Sequence, residues 1–100
     1  MRRSRITTHP GEVLREKFMA PLRLSANALA RDLHVPPNRI TAIIAPTDPR
    51  AVTPDTALRL GRYFGTTAEF WLNLQSAYDL SRARTEIAGR VEAEVRPRAA

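Results

Sequence analysis

The residues of this chain best suited to chemistry on a partner lie in one short stretch, Pro36-Pro37-Asn38-Arg39-Ile40-Thr41-Ala42-Ile43-Ile44. Pro36 or Pro37 suits the first turn of a helix, where an N–H is not needed. On such a helix Ile40, Ile43 and Ile44 point inward, while Pro37, Asn38, Thr41 and Ala42 point outward and Arg39 lies between the faces. The outward types match base-pair edges. Asn can pair bidentately with adenine, Arg can pair with guanine or a phosphate, and Thr or Ala can touch a thymine methyl. Other chemistries are poorly served. The chain has no cysteine, which removes thiolate nucleophiles, disulfides and Cys-ligated zinc. His9 and His34 stand far apart with no neighbour at metal-ligand spacing, so no metal or other cofactor is expected. Glu12 is explained by a helix dipole and Glu69 by capping. With no titratable pair placed for acid–base work, no catalytic residue is assigned and an enzyme is not expected.

Composition agrees without deciding the matter. Sixteen basic residues against ten acidic ones give a net charge of +6, and the isoelectric point is near 11.2. A basic domain attracts polyanions because neutralising phosphates releases condensed counterions. Fifteen of the sixteen basic residues are Arg, so an arginine-rich composition explains the excess equally well, and charge alone favours nucleic acid only modestly. One hundred residues with 43% hydrophobic content fit a single globular domain. No apolar run approaches the roughly 20 residues that span a bilayer, and no signal core follows the basic Met1-Arg2-Arg3-Ser4-Arg5. A cytoplasmic, nucleoid-associated protein with no membrane partner is expected.

The elements that must position the stretch are helices with marked breaks. The first begins after His9-Pro10-Gly11, carries Val13, Leu14, Phe18 and Met19 at helical spacing, and is expected to stop at Pro21. Ser25 caps a short second helix with Ala26, Ala28, Leu29, Ala30 and Leu33. His34-Val35-Pro36 breaks it from the third, which ends at Pro46-Thr47-Asp48-Pro49. Thr53-Pro54-Asp55-Thr56 starts a fourth helix, with Ala57, Leu58, Leu60, Tyr63 and Phe64 expected on its core face and Gly65 at its end. Thr66 and Glu69 have capping-box spacing ahead of a fifth, with Phe70, Trp71, Leu74 and Tyr78. The charged tail from Ser81 either continues that helix to about Val95 or frays, and Arg96-Pro97-Arg98 is expected to be disordered.

Helices two and three together read as a helix-turn-helix. Ala30 sits where the backbones approach, and Leu29, Leu33, Val35, Ile40 and Ile43 or Ile44 fill the shared core. The tight turn requires a positive φ, which falls on His34, a residue that tolerates it better than most. In this motif the third helix enters the major groove. The start of the second, around Ser25 and Asn27, meets the phosphate backbone. Phe70, Trp71 and Tyr78 read as core or dimer contacts. A helix-turn-helix contacts one half-site, so a homodimer is expected.

Several ordered strings then resemble the HigA-type antitoxins of the Xre/Cro repressor group. They are His9-Pro10-Gly11-Glu12-Val13-Leu14, Leu29-Ala30, Val35 to Ile40, Thr53 to Leu60, and Tyr63 to Gln75, and the resemblance covers about His9 to Leu80. It implies an all-α, five-helix lambda-repressor-like domain over residues 9–80. A flexible basic segment 1–8 would precede it and a C-terminal helical extension, 81–100, would follow, partly helical and then disordered. It also implies a homodimer that binds a palindromic double-stranded operator before its own operon and neutralises a HigB/RelE-type mRNA endonuclease toxin. Two features depart from the pattern: Ala26 replaces a Gln common in the group, and the loop Ala45–Ala51 is longer than usual, with Arg50 able to reach the DNA backbone. The expected DNA-binding set is Ser25, Asn27, Pro37, Asn38, Arg39, Thr41, Ala42 and Arg50. The competing readings are a solitary repressor without a toxin and an interaction module whose basic surface is incidental.

Overall fold

The computed structural model describes residues 7–99, which form five helices and no strand. Helix α1 is one helical run over residues 10–22, made of Pro10–Val13, a π-helical stretch Leu14–Met19, and a last turn Ala20–Leu22. Then follow α2 (Ala26–Leu33), α3 (Pro37–Ile43), α4 (Pro54–Phe64) and α5 (Ala68–Glu94).

Pro21 does not stop α1. In an ordinary α-helix its ring collides with the carbonyl four residues back. Here the preceding turn is widened, and the Ala20 N–H reaches back five residues to the Arg15 carbonyl. The helix ends instead at Arg23, whose φ is 53°. Its N–H donates to the Ala20 carbonyl, and that of Leu24 to the Met19 carbonyl, which satisfies the last acceptors.

The other boundaries follow the capping chemistry with one change. Ser25 Oγ accepts from the Ala28 N–H at 3.1 Å. His34 closes α2 at φ 61°, with the Val35 N–H bonded to the Ala30 carbonyl at 3.0 Å, so the positive φ falls where the sequence places it. Thr53 caps α4 and Gly65, at φ 75°, ends it. Thr67, not Thr66, caps α5 by accepting from the Phe70 N–H at 3.0 Å. The Thr66 hydroxyl is taken by the indole N–H of Trp71, at 2.8 Å.

That indole is fully buried, and it closes a single core with Leu14, Met19, Leu29, Ala30, Leu33, Ile40, Ile43, Val52, Ala57 and Leu60. Each large apolar side chain removed from water this way contributes about 1.5–3 kcal/mol. Val35 and Ile44 pack half-buried on its edge. Leu58 and Tyr63 are not core residues: they are 65% and 40% exposed. The helical period gives the inner face of α4 to Ala57, Leu60 and Gly61, with Phe64 packed partly buried against it, and the Tyr63 hydroxyl donates to Asp32 at 2.7 Å.

The first half of α5 packs on α4 and α1, and beyond Ser81 most of its residues are exposed. The tail therefore continues as helix to Glu94, with no regular structure over 95–99. Of the basic N-terminal segment, residues 1–6 lie outside the described residues, and the Thr7 N–H donates to Ser81 Oγ.

Candidate nucleic-acid interface

The placement of α3 depends on how closely α1 approaches it. Pro10 and Gly11 are buried at the start of α1, and a Cβ on Gly11 would lie 1.8 Å from the Ile43 carbonyl oxygen. Only glycine permits that approach. Arg15 Nη1 donates to the Ile44 carbonyl at 2.7 Å, placing a cation at the negative end of α3. His9 caps α1, its Nδ1 accepting from the Gly11 N–H at 2.8 Å. The ring meets Tyr78 edge-on at 4.7 Å. Burial holds the imidazole pKa below its ordinary value, against the opposing pull of the Asp79 carboxylate.

On its other side α3 is flanked by the loop 45–53. The Arg50 N–H donates to the Ala42 carbonyl at 2.9 Å, and the buried Val52 N–H donates to Gln75 Oε1 at 2.7 Å. Gln75 Nε2 in turn donates to Asp79. One buried carboxamide on α5 thus fixes the loop and brings Arg50 beside α3. Asn38, Arg39, Thr41, Ala42 and Arg50 line one groove of about 510 Å³ together with Thr53 and Thr56.

Within the groove Asn38 and Thr41 are exposed, and Ala42 is half-buried. The Thr41 hydroxyl donates to the Asn38 carbonyl. Pro37 is exposed on the first turn but does not line the groove, and Ser25 and Asn27 stand exposed at the start of α2. Of the eight residues expected from sequence, five line this groove, and Pro37, Ser25 and Asn27 lie outside its lining. The α3 face opposite the buried Ile40 and Ile43 is therefore open, polar and rich in donors.

Arg39 is not free. Its Nη1 donates to Asp55 Oδ2, and Arg59 Nε donates to the same oxygen at 3.1 Å. Arg59 Nη1 also donates to the Leu33 carbonyl at 2.9 Å. The two guanidiniums, Arg59 before Arg39, hold the Asp55 carboxyl below the usual carboxylate range. In the sequence Asp55 reads only as an acid at a helix start. Its spacing to Arg59 is a visible helical pair, but nothing local reveals the link to Arg39. Gln75 was likewise not singled out. Among the described residues no cluster of three His, Cys, Asp or Glu could hold a metal ion.

A scan against protein-family models finds no match for the chain. Individual proteins do match it. Virulence-associated protein I of Dichelobacter nodosus is 55% identical over 78 residues, which are 78% of this chain and 70% of that protein. A solved structure of the Pseudomonas aeruginosa antitoxin HigA with the higBA promoter is 41% identical, with a TM-score of 0.85, over 92% of this chain and 98% of that one. The antitoxin GraA in complex with its operator is 38% identical, with a TM-score of 0.89, over 100% of this chain and 99% of that one.

Proposed function

Because the chain belongs to the HigA family of helix-turn-helix antitoxins, we propose that it binds the operator of its own toxin–antitoxin operon, represses it, and neutralises a HigB/RelE-type mRNA endonuclease. The observation that carries the DNA-binding part is the open polar face of α3, Asn38, Arg39 and Thr41, held on the buried Ile40 and Ile43 with Arg50 alongside. This face enters the major groove, where Asn38 and Arg39 address base edges and Thr41 and Ala42 a thymine methyl. Pro37 sits at the entry of the helix. Ser25 and Asn27 at the start of α2, and Arg50 from the loop, meet phosphates. Residues 9–80 form the binding unit and 81–100 an extension from it.

The protein acts as a homodimer on a palindromic site, since two reading helices one helical turn of DNA apart supply the affinity that one lacks. Leu80, Ile87 and Val91, 49%, 39% and 44% exposed on α5, are the apolar side chains a second copy would cover. Among the described residues no helix is long and apolar enough to cross a membrane, and a protein acting on operator DNA works in the cytoplasm, at the nucleoid. Several relatives are named as antitoxins or transcriptional regulators, and the proposed function carries no catalytic step.

The test is a fluorescence-anisotropy titration against the DNA upstream of the chain's own gene, at two salt concentrations and with random DNA as competitor. Tight binding that survives competitor, with a steep salt slope, supports the operator reading. Equal, weak binding to both DNAs sinks it. Sedimentation in the same buffer checks the dimer: a monomer at micromolar concentration removes that part. A small basic protein encoded beside the chain that co-purifies with it, and whose mRNA cleavage the chain relieves, would support the toxin part; no such partner would leave the solitary repressor.

A further inference from the structure

We propose that Asp55 is a positioning residue that makes Arg39 a reader of guanine and not a phosphate contact. The inference rests on the proposed docking of α3 in the major groove. An unrestrained arginine samples many rotamers and grips whichever phosphate is nearest, which fixes register but carries no sequence information. Arg39 is restrained. Asp55 holds its Nη1, and Asp55 is itself held from behind by Arg59, which is tied to the Leu33 carbonyl where α2 ends. The carboxylate stands in the first turn of α4, immediately after Pro54. Three helices therefore determine where one guanidinium points.

Charge argues in the same direction. Asp55 offsets one of the two positive charges that Arg39 and Arg59 bring together, and a carboxylate 54% exposed beside the groove repels phosphate. An arginine held this way is a weaker electrostatic clamp for a polyanion than a bare one, yet it keeps its directional donors. With Nη1 on Asp55, the Nε and Nη2 edge makes no hydrogen bond among the described residues. That edge is a two-donor fork of the shape that guanine O6 and N7 accept. Arg39 lines the groove together with Asn38, Thr41 and Ala42, so bases docked there come within reach of that edge. Asp55 thus lowers attraction to DNA in general and raises discrimination at one base pair.

The experiment compares wild type, Arg39→Ala, Asp55→Asn, Asp55→Glu and the Arg39→Ala/Asp55→Asn double variant. Each is titrated by anisotropy on the operator, on operators with each G·C pair of a half-site replaced in turn, and on random DNA. Both side chains lie at the surface, and circular dichroism of each variant verifies the fold. Arg39→Ala and Asp55→Asn are expected to flatten discrimination at the same G·C pair, by about 5- to 150-fold. Asp55→Asn should bind random DNA as well as wild type or better, and the double variant should discriminate no worse than Arg39→Ala. Asp55→Glu should restore part of the preference. The proposal is overturned if Asp55→Asn tightens binding to every sequence with discrimination intact. It is equally overturned if Arg39→Ala weakens all sequences alike and lowers the salt slope by about one. Wild type without any operator preference would defeat the underlying DNA-reading proposal as well, and is seen before any variant is measured.

Discussion

Replacing Gly11 by alanine adds one methyl group where α1 meets the end of α3. That carbon would lie 1.8 Å from the Ile43 carbonyl oxygen, 2.8 Å from its carbon and 3.0 Å from His9 Nδ1. Ordinary contact begins near 3.4 Å, and two of the three obstacles are backbone, so no rotamer change relieves them. Overpacking of this kind costs about 1–3 kcal/mol. Moving α1 away also disturbs the cap that His9 makes to the Gly11 N–H, worth about 1 kcal/mol. Alanine's better helix propensity returns at most about 1 kcal/mol. The net loss is about 1–3 kcal/mol, which for a domain this size lowers the melting temperature by about 4–24 °C. Gly89→Ala is the internal control: its Cβ meets nothing within 4 Å on exposed α5, so helix content should hold or rise. Thermal unfolding followed by circular dichroism reads both. Equal melting temperatures for Gly11→Ala and wild type would refute the close-approach argument, and an equal loss in both variants would refute it too.

Three further outcomes are expected. Asn38→Ala should lose base discrimination at one operator position, by about 1–3 kcal/mol; unchanged sequence preference in the same titration would mean that the reading face is misassigned. Gln75→Leu strands the buried Val52 N–H and removes the donor to Asp79, costing about 1–3 kcal/mol by urea titration and weakening operator binding through the loop that carries Arg50. Acidification should destabilise the fold through His9, whose folded pKa burial lowers from 6.5. Between the folded and unfolded values the unfolded chain binds more protons. The contribution is therefore fully present above pH 6.5 and is lost as pH falls through the lower folded value. Melting temperatures of wild type and His9→Asn across pH 5–7 check this, since asparagine keeps a capping acceptor but does not titrate; parallel curves would refute it.

Much of the fold was legible because its boundaries are set by local chemistry. Ser25, Thr53 and Gly65 act where their types predict, and His34 takes the left-handed turn that the spacing demands. The misses have separate physical causes. Thr66 has the right spacing for a cap, but the Trp71 indole claims its hydroxyl and Thr67 takes the role. Pro21 lies within a helix because a π stretch precedes it, and composition does not reveal a widened turn. Leu58 and Tyr63 are apolar enough to suggest the core face, but helical periodicity sets them beside the buried row of Ala57, Leu60 and Gly61. At the candidate site the outward face of α3 was readable from its period. The constraints on it were not: Asp55 is sixteen residues from Arg39, and Gln75 is twenty-three from Val52. Tertiary pairs of that kind leave no trace in local spacing.

The exposed half of α5 has a consequence for measurement. From Arg82 to Glu94 the helix has little of the chain beneath it, and a helix of about a dozen residues without packing is marginal in water. Its amides should exchange with solvent far faster than those around Trp71, and its arginines, 82, 84 and 90, should be cut early by a protease that cleaves after arginine. Covering Ile87 and Val91 slows both processes, whatever does the covering. Exchange and cleavage rates in this stretch, followed against protein concentration, therefore give a clock for partnership that requires no DNA and no knowledge of the partner.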